Sequence, residues 1–217
     1  MRRLILVAAL VGAAAPLAAQ QPVSAALTGH VPGAVVHAVQ VFADSATALG
    51  LPTRPLVNKA LEGGVKDVPA ERIIAAVGQV LGQLSEAADA LRPAGANGPD
   101  VVEAGAFALA AGLKAGDITT VARSVGRNYP AATALRVAGT IAALGVPPAE
   151  ATGLVEVTVN AGQPVADLVN LPNRVQELMS RGTPAVKAAA DLRAAALGSV
   201  PKPGRRLGPT KDNPHRP

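Results

Sequence analysis

The chain has 217 residues, enough for one medium domain or a short repeat array with appendages, and no cysteine, which excludes disulfides, thiolate metal sites, cysteine nucleophiles and a lipid-anchored N-terminal cysteine. Its net charge of +5 belongs to its ends: residues 1–20 carry +2, residues 201–217 carry +4, and the body from 21 to 200 carries −1. A near-neutral body whose aromatics are Phe42, Phe107 and Tyr129 lacks the basic face and stacking platforms of a nucleic-acid binder, so no nucleic acid is expected as a partner.

The N-terminal stretch "MRRLILVAALVGAAAPLAAQQ" sets two arginines before an apolar run and ends in small residues. That layout predicts a secretory signal peptide over 1–19, cleaved after Ala19, and a periplasmic or extracellular mature protein. The apolar stretch from Leu4 to Ala19 is 16 residues, short of the roughly 20 that a membrane anchor needs. Arg2 and Arg3 lack the further flanking residues of a twin-arginine signal, so the ordinary secretory route is expected. No later segment stays apolar for 18 residues without charge, proline or glycine, so the mature chain should have no transmembrane segment. Residues 20–31 read as a linker.

The body is rich in Ala, Val and Leu. Small side chains let backbones approach closely but each contributes little, compared with the roughly 1.5–3 kcal/mol of a fully buried Leu or Val. Many modest contacts between helices are the expected solution, because Ala has the highest helix propensity. A first helix is predicted from about Pro32 to Leu49, closed by Gly50.

From Leu51 onward the chain repeats itself. Pro52 and Pro69 lie 17 residues apart, as do Pro130, Pro147 and Pro164. Units start one residue earlier, at Leu51, Val68, Tyr129, Val146 and Gln163, and a sixth fits at Leu113, one residue short. The sixth places hold Leu56, Ile73, Ile118, Ala134, Ala151 and Leu168. The ninth hold Lys59, Ala76, Val121, Val137, Leu154 and Leu171. The tenth hold Ala60, Val77, Ala122, Ala138, Val155 and Pro172, and the thirteenth Gly63, Val80, Val125, Ile141, Thr158 and Val175. Places 6, 9, 10 and 13 make one apolar stripe on an α-helix, with Lys59, Gly63, Thr158 and Pro172 as exceptions. Each unit is therefore predicted as one helix of roughly 11–13 residues, started by its proline. Gly64, Gly126, Gly145 and Gly162 are expected to close units. "VPAERIIAAV" and "VPPAEATGLV" show the device: shared Val-Pro start, shared buried Val at the tenth place, but Glu71 and Glu150 out of register.

A further helix is predicted over about Pro99–Ala111, closed by Gly112, and a last one over Pro184–Leu197 between Thr183 and Gly198. "LRPAGANG" (91–98) has no period and reads as a loop, with a division of the array near 92–98 as one option. Pro172 should split its unit, with a second helix from about Asn173 to Ser180. "LVEVTVN" (154–160) has the β-branched content of a strand, but its register makes it half a helix. The tail 199–217 is rich in proline and glycine and should be disordered. The domain is thus 32–198, an all-α array of short antiparallel helices with a period of about 17 residues. It is similar to helical solenoids as an architectural class, without the longer periods and signature residues of tetratricopeptide, ankyrin or armadillo units.

Chemistry-bearing patterns are few. His30, His37 and Asp44 are seven apart, roughly 10.5 Å of helical rise, too far for one metal. Ser199 and Lys202 spell a serine–lysine pair, but in the tail rather than at a buried helix start. With no catalytic constellation, no cofactor and no metal is expected, and a non-catalytic protein is the leading reading. Arg123, Arg127, Asn128, Tyr129 and Arg136 are the densest polar and aromatic patch and the first candidate for gripping an acidic partner or a carbohydrate, with Tyr129 as the stacking surface; the expected partner of the chain is an unknown protein or an anionic envelope component. Asn58 and Asn170 share the eighth column, where asparagines can hold a peptide backbone. Lys202, Arg205, Arg206 and Lys211 are candidates for envelope contact through screened charge. The leading function is a secreted or periplasmic scaffold that binds protein or envelope. The alternatives are an enzyme acting on an envelope polymer through surface carboxylates, and a homo-oligomer that associates through its Ala-rich faces.

Overall fold

Leu56, Ile73, Ile118, Ala134, Ala151 and Leu168, the sixth-place residues, are all buried, at 2% exposure or less. The tenth place is buried in five units; the half-buried exception is Pro172. In the computed structural model, which describes residues 23–126 and 129–198, this stripe is the seam along which helices pack. Residues 1–19, where a signal peptide is expected, the tail 199–217 with its Ser199–Lys202 pattern, and Arg127 and Asn128 lie outside the described residues.

The described chain is all-α and contains no strand. Its ten helices are α1 (Val23–Leu27), α2 (Gly33–Ala48), α3 (Arg54–Val65), α4 (Ala70–Leu91), α5 (Pro99–Ala110), α6 (Ala115–Ser124), α7 (Ala131–Ala143), α8 (Pro148–Asn160), α9 (Val165–Ser180) and α10 (Ala185–Gly198). Residues 154–160 are helical, as their register requires. Every helix packs on the next in sequence. The even helices also form a row in which α2, α4, α6, α8 and α10 touch in order. Among the odd helices, α1 packs on α3, and α5, α7 and α9 form a second row. The result is an open two-layer stack, in which α1 and α2 make no packed contact with α9 or α10. The repeat does not yield equal units, since the helices of the units run from 10 to 22 residues.

Local chemistry explains the ends. Pro32, Pro69, Pro130, Pro147 and Pro164 occupy N-cap positions, where a missing N–H costs nothing. Glu71 and Glu150 lie in the first turns of α4 and α8, favourable against the helix dipole. At the end of α2, Gly50 takes a φ of 68°, and the Leu51 N–H donates to the Ala46 carbonyl at 2.8 Å. Leu51 then turns into the core, so one left-handed residue both ends the helix and starts the return.

Four expectations are corrected. The linker 20–31 contains α1, whose Leu27 is fully buried and anchors it against α2 and α3. The unit from Val68 gives a helix of 22 residues, because Leu84, Ala87, Ala90 and Leu91 continue its buried face. Gly64 does not close α3, which runs on to Val65; Asp67, at φ 50°, takes the left-handed place, and Val68 N–H donates to the Gly63 carbonyl. Pro172 does not break its unit: α9 is one helix with the proline inside it, and Leu168, Leu171 and Val175 are buried on both sides of the ring. Near 92–98 a short 3-10 turn (Arg92–Ala94) and Gly95 redirect the chain, but α4 packs on both α5 and α6, so the stack continues through that point.

Glycine and alanine set the closest approaches. A Cβ on Gly105 of α5 would lie 3.0 Å from Ala87 Cβ of α4, and one on Gly139 of α7 would lie 3.1 Å from Ala108 Cα of α5. Helix α5 is thus wedged between α4 and α7 at contacts only small residues allow. Two polar side chains are buried on α8. Thr158 Oγ1 donates to the Leu154 carbonyl at 2.8 Å, whereas Thr152 Oγ1 has no hydrogen-bond partner among the described residues. Thr152→Val should therefore leave the urea midpoint unchanged or raise stability by up to about 1 kcal/mol, because an unpaired hydroxyl is replaced by an isosteric methyl.

Candidate functional site

The odd row is interrupted once. α3 and α5 form no packed pair, although both pack on α4 beneath them. A groove of about 540 Å³ lies in the gap, within the range of ligand sites. Each wall is one helical stripe: Pro55, Asn58, Lys59 and Glu62 from α3, and Glu103, Ala106, Phe107 and Ala110 from α5. Both sets have the spacing i, i+3, i+4, i+7, so each helix offers a single face to the gap. Val80, Gln83 and Leu84 of α4 form the floor, and Arg136 and Thr140, four apart on α7, reach in behind α5.

Phe107 is 45% exposed, although it is one of the few large apolar side chains in the chain. Its ring leans on Gly139 of α7, where a Cβ would come within 2.9 Å of Cε1. Gly139 thereby fixes the ring as the upper edge of the α5 wall.

The charges in the groove are not equivalent. Glu103 accepts a hydrogen bond from the Arg54 guanidinium at 2.7 Å, which joins α3 to α5 near their N-terminal ends and holds the Arg54 pKa above its ordinary value. Glu62 accepts from Lys66 Nζ at 2.6 Å and from Lys59 Nζ at 3.0 Å. Hydrogen bonds from Lys66 and Lys59 lower its pKa from 4.5 to about 2. This depressed value contributes stability above the ordinary carboxylate range, lost as pH falls through about 2; its exposed position lets salt screen it. Both carboxylates of the groove are thus committed to cations. Arg136 is exposed and enters no ion pair among the described residues.

Held ionised by its two lysines, Glu62 is unsuited to donate a proton at neutral pH.

The candidate patch from the sequence is divided. Arg123 is exposed in the last turn of α6, where a cation complements the dipole. Tyr129 is half-buried, and its hydroxyl donates to the Gln163 carbonyl, which ties the α6–α7 link to the α8–α9 link. It borders a separate hollow with Ser124, Asn160 and Pro164, whereas Arg136 faces the α3–α5 groove. Asn58 lines that groove; Asn170, its partner in the eighth column, is on α9 and accepts from Asn173 at 3.0 Å. Lys202, Arg205, Arg206 and Lys211 lie outside the described residues.

No family model matches the chain, and no curated protein and no solved structure is significantly similar to it. The site therefore rests on its own geometry. Asp44 accepts from the Gln40 amide at 2.8 Å, and no group of three or more His, Asp or Glu able to hold a metal occurs among the described residues. Among those residues no helix is long and apolar enough to cross a membrane.

The sequence did not point to Phe107, Gln83 or Thr140. One signal for the groove was present: Lys59 is a charged residue in an otherwise apolar column, and it lies where α3 faces the gap instead of a neighbouring helix.

Proposed function

We propose that the chain is a secreted or periplasmic, non-catalytic helical-repeat protein that binds a protein or an envelope component in the groove between α3 and α5. The supporting observation is the gap itself. A stack in which each helix covers its neighbours leaves an apolar-floored trough uncovered between α3 and α5, edged by Phe107 and by Arg136, which enters no ion pair among the described residues. Stacked helices present such surfaces at little cost to their cores, since each unit depends only on its neighbours. The leader over 1–19 supports export, and the basic tail 199–217 supports a second, electrostatic contact with anionic polymer through Lys202, Arg205, Arg206 and Lys211. Commitment of Glu62 and Glu103 to cations weighs against the hydrolytic reading.

A photo-cross-linking amino acid at Asn58 or Gln83, compared with one at the exposed Val41 on α2, tests the reading in the intact cell envelope. Defined adducts at the groove positions and none at 41 are expected. Adduct patterns that match at all three positions would sink the groove as the binding site. Removal of 199–217 should reduce the yield of groove adducts at low salt and change it much less near physiological salt, where the tail's charges are screened.

A further inference from the structure

We propose that the groove takes an extended peptide segment bearing a carboxylate, and that Arg136 is the residue that reads the carboxylate. The inference rests on the groove being a binding site, as argued above. Its form follows from length, lining and charge.

The Arg54–Glu103 bridge, with 2.7 Å between its polar atoms, marks the N-terminal end of the gap: Glu103 lines the groove and Arg54 does not. Length suits a short segment. The α3 wall from Pro55 to Glu62 covers seven steps, about 10.5 Å at 1.5 Å per residue, which accommodates about three residues of extended chain.

The lining fits a peptide better than a sugar. The floor is aliphatic, with Val80 and Leu84, and Phe107 adds one apolar edge. An apolar side chain entering there displaces water at no cost in unmet hydrogen bonds. The amides of Asn58 on one wall and Gln83 on the floor each offer a donor and an acceptor, which matches the alternating groups of a peptide backbone. An oligosaccharide would ask for a broader aromatic platform than the single Phe107 ring supplies.

Charge selects the acid. Glu62 and Glu103 are neutralised by Lys59, Lys66 and Arg54, whereas Arg136 has no ion-pair partner among the described residues. A guanidinium presents a planar fork of donors suited to a carboxylate. The chain's own tail, with five cations against one carboxylate in 201–217, is a poor occupant for the same reason.

The test is an array of capped pentapeptides with aspartate, asparagine or lysine at the centre and varied residues on either side. Binding to the purified full chain is followed by fluorescence anisotropy and by amide chemical shifts. Aspartate peptides with a flanking leucine should bind and shift Phe107, Gln83 and Arg136, and the asparagine versions should bind about tenfold more weakly. R136Q should remove that difference while leaving the asparagine peptides unaffected. E62Q, which releases Lys59, should strengthen the aspartate peptides several-fold. Equal binding of aspartate and asparagine peptides at these residues would overturn the carboxylate assignment and leave the groove as a site. Tightest binding by lysine peptides would overturn it as well. Shifts caused by oligogalacturonate but by no peptide would replace the peptide with an acidic sugar. No shift at the groove with any probe, together with absent cross-links from Asn58 and Gln83, would remove both readings.

Discussion

Valine in place of Gly139 is expected to lower stability by about 3 kcal/mol, a drop of roughly 6–12 °C in Tm for a chain of this size. The cause is a contact that cannot relax cheaply. The new Cβ would sit 2.9 Å from the Phe107 ring and 3.1 Å from Ala108 Cα. A ring that is half exposed can swing away, but a backbone atom of α5 cannot. Helix α5 is itself pinned from the other side by Gly105 against Ala87, so pushing it off α7 drives it into α4. Gly82→Ala gives the opposite sign. Gly82 is also inside a helix, α4, but a Cβ there meets nothing within 4 Å, so helix propensity alone should stabilise by about 1 kcal/mol. Urea unfolding of both variants decides the matter. Equal and small effects would show that α5 and α7 are not in close contact. The Gly139 variant also bears on function, because the ring it displaces is the edge of the groove. Reduced peptide binding at temperatures where the variant is still folded is the second expected result.

Much of the fold was legible because helical burial has a period. Places 6 and 10 of the units fell on the seam almost without exception, and the prolines marked helix starts since an N-cap needs no N–H. What escaped had physical reasons. α1 is five residues long with one anchoring side chain, Leu27, too short for any period to show. Asp67 ends α3 in a conformation that favours glycine, so the sequence points to the neighbouring Gly64 instead. Gly64 matters for a different contact. A Cβ there would overlap the His30 carbonyl oxygen, so its absence lets the 28–31 turn rest on α3.

The site was legible only as an irregularity. Its residues come from four helices, and no spacing rule joins Asn58, Gln83, Phe107 and Arg136. They meet because α3 and α5 fail to pack, a tertiary fact with no local signature. Asn58 and Arg136 do share the eighth place of their units, next to the seam, where a residue faces outward if a neighbour covers the helix and into a gap if none does. Lys59 one place on is the charge that reported the gap. Tyr129 drew notice by composition, yet its hydroxyl is spent on the Gln163 carbonyl, a role that requires two links 34 residues apart to meet.

Pro172→Ala is expected to raise stability by about 1–2 kcal/mol, a gain rather than the usual loss. A proline inside a helix costs about 3 kcal/mol, because it cannot donate to the carbonyl four residues back and its ring crowds that carbonyl. Here the carbonyl belongs to Leu168, and the helix runs through regardless. The reason is tertiary: Leu168 and Leu171 before the ring and Val175 near it after are all buried, so breaking the helix would pull one side out of the seam. Burying those three side chains outweighs one lost hydrogen bond. Alanine restores the donor and relieves the crowding. Set against this are the lost contacts of a half-buried ring and the freer unfolded chain, worth about 0.4–1 kcal/mol. Pro172→Gly should fall about 1 kcal/mol below the alanine variant, since glycine restores the donor without the propensity. Thermal unfolding of the three proteins separates the terms. If alanine proves less stable than proline, the ring's packing in the tenth-place column outweighs the backbone defect, and α9 is held more by that ring than by its helix hydrogen bonds.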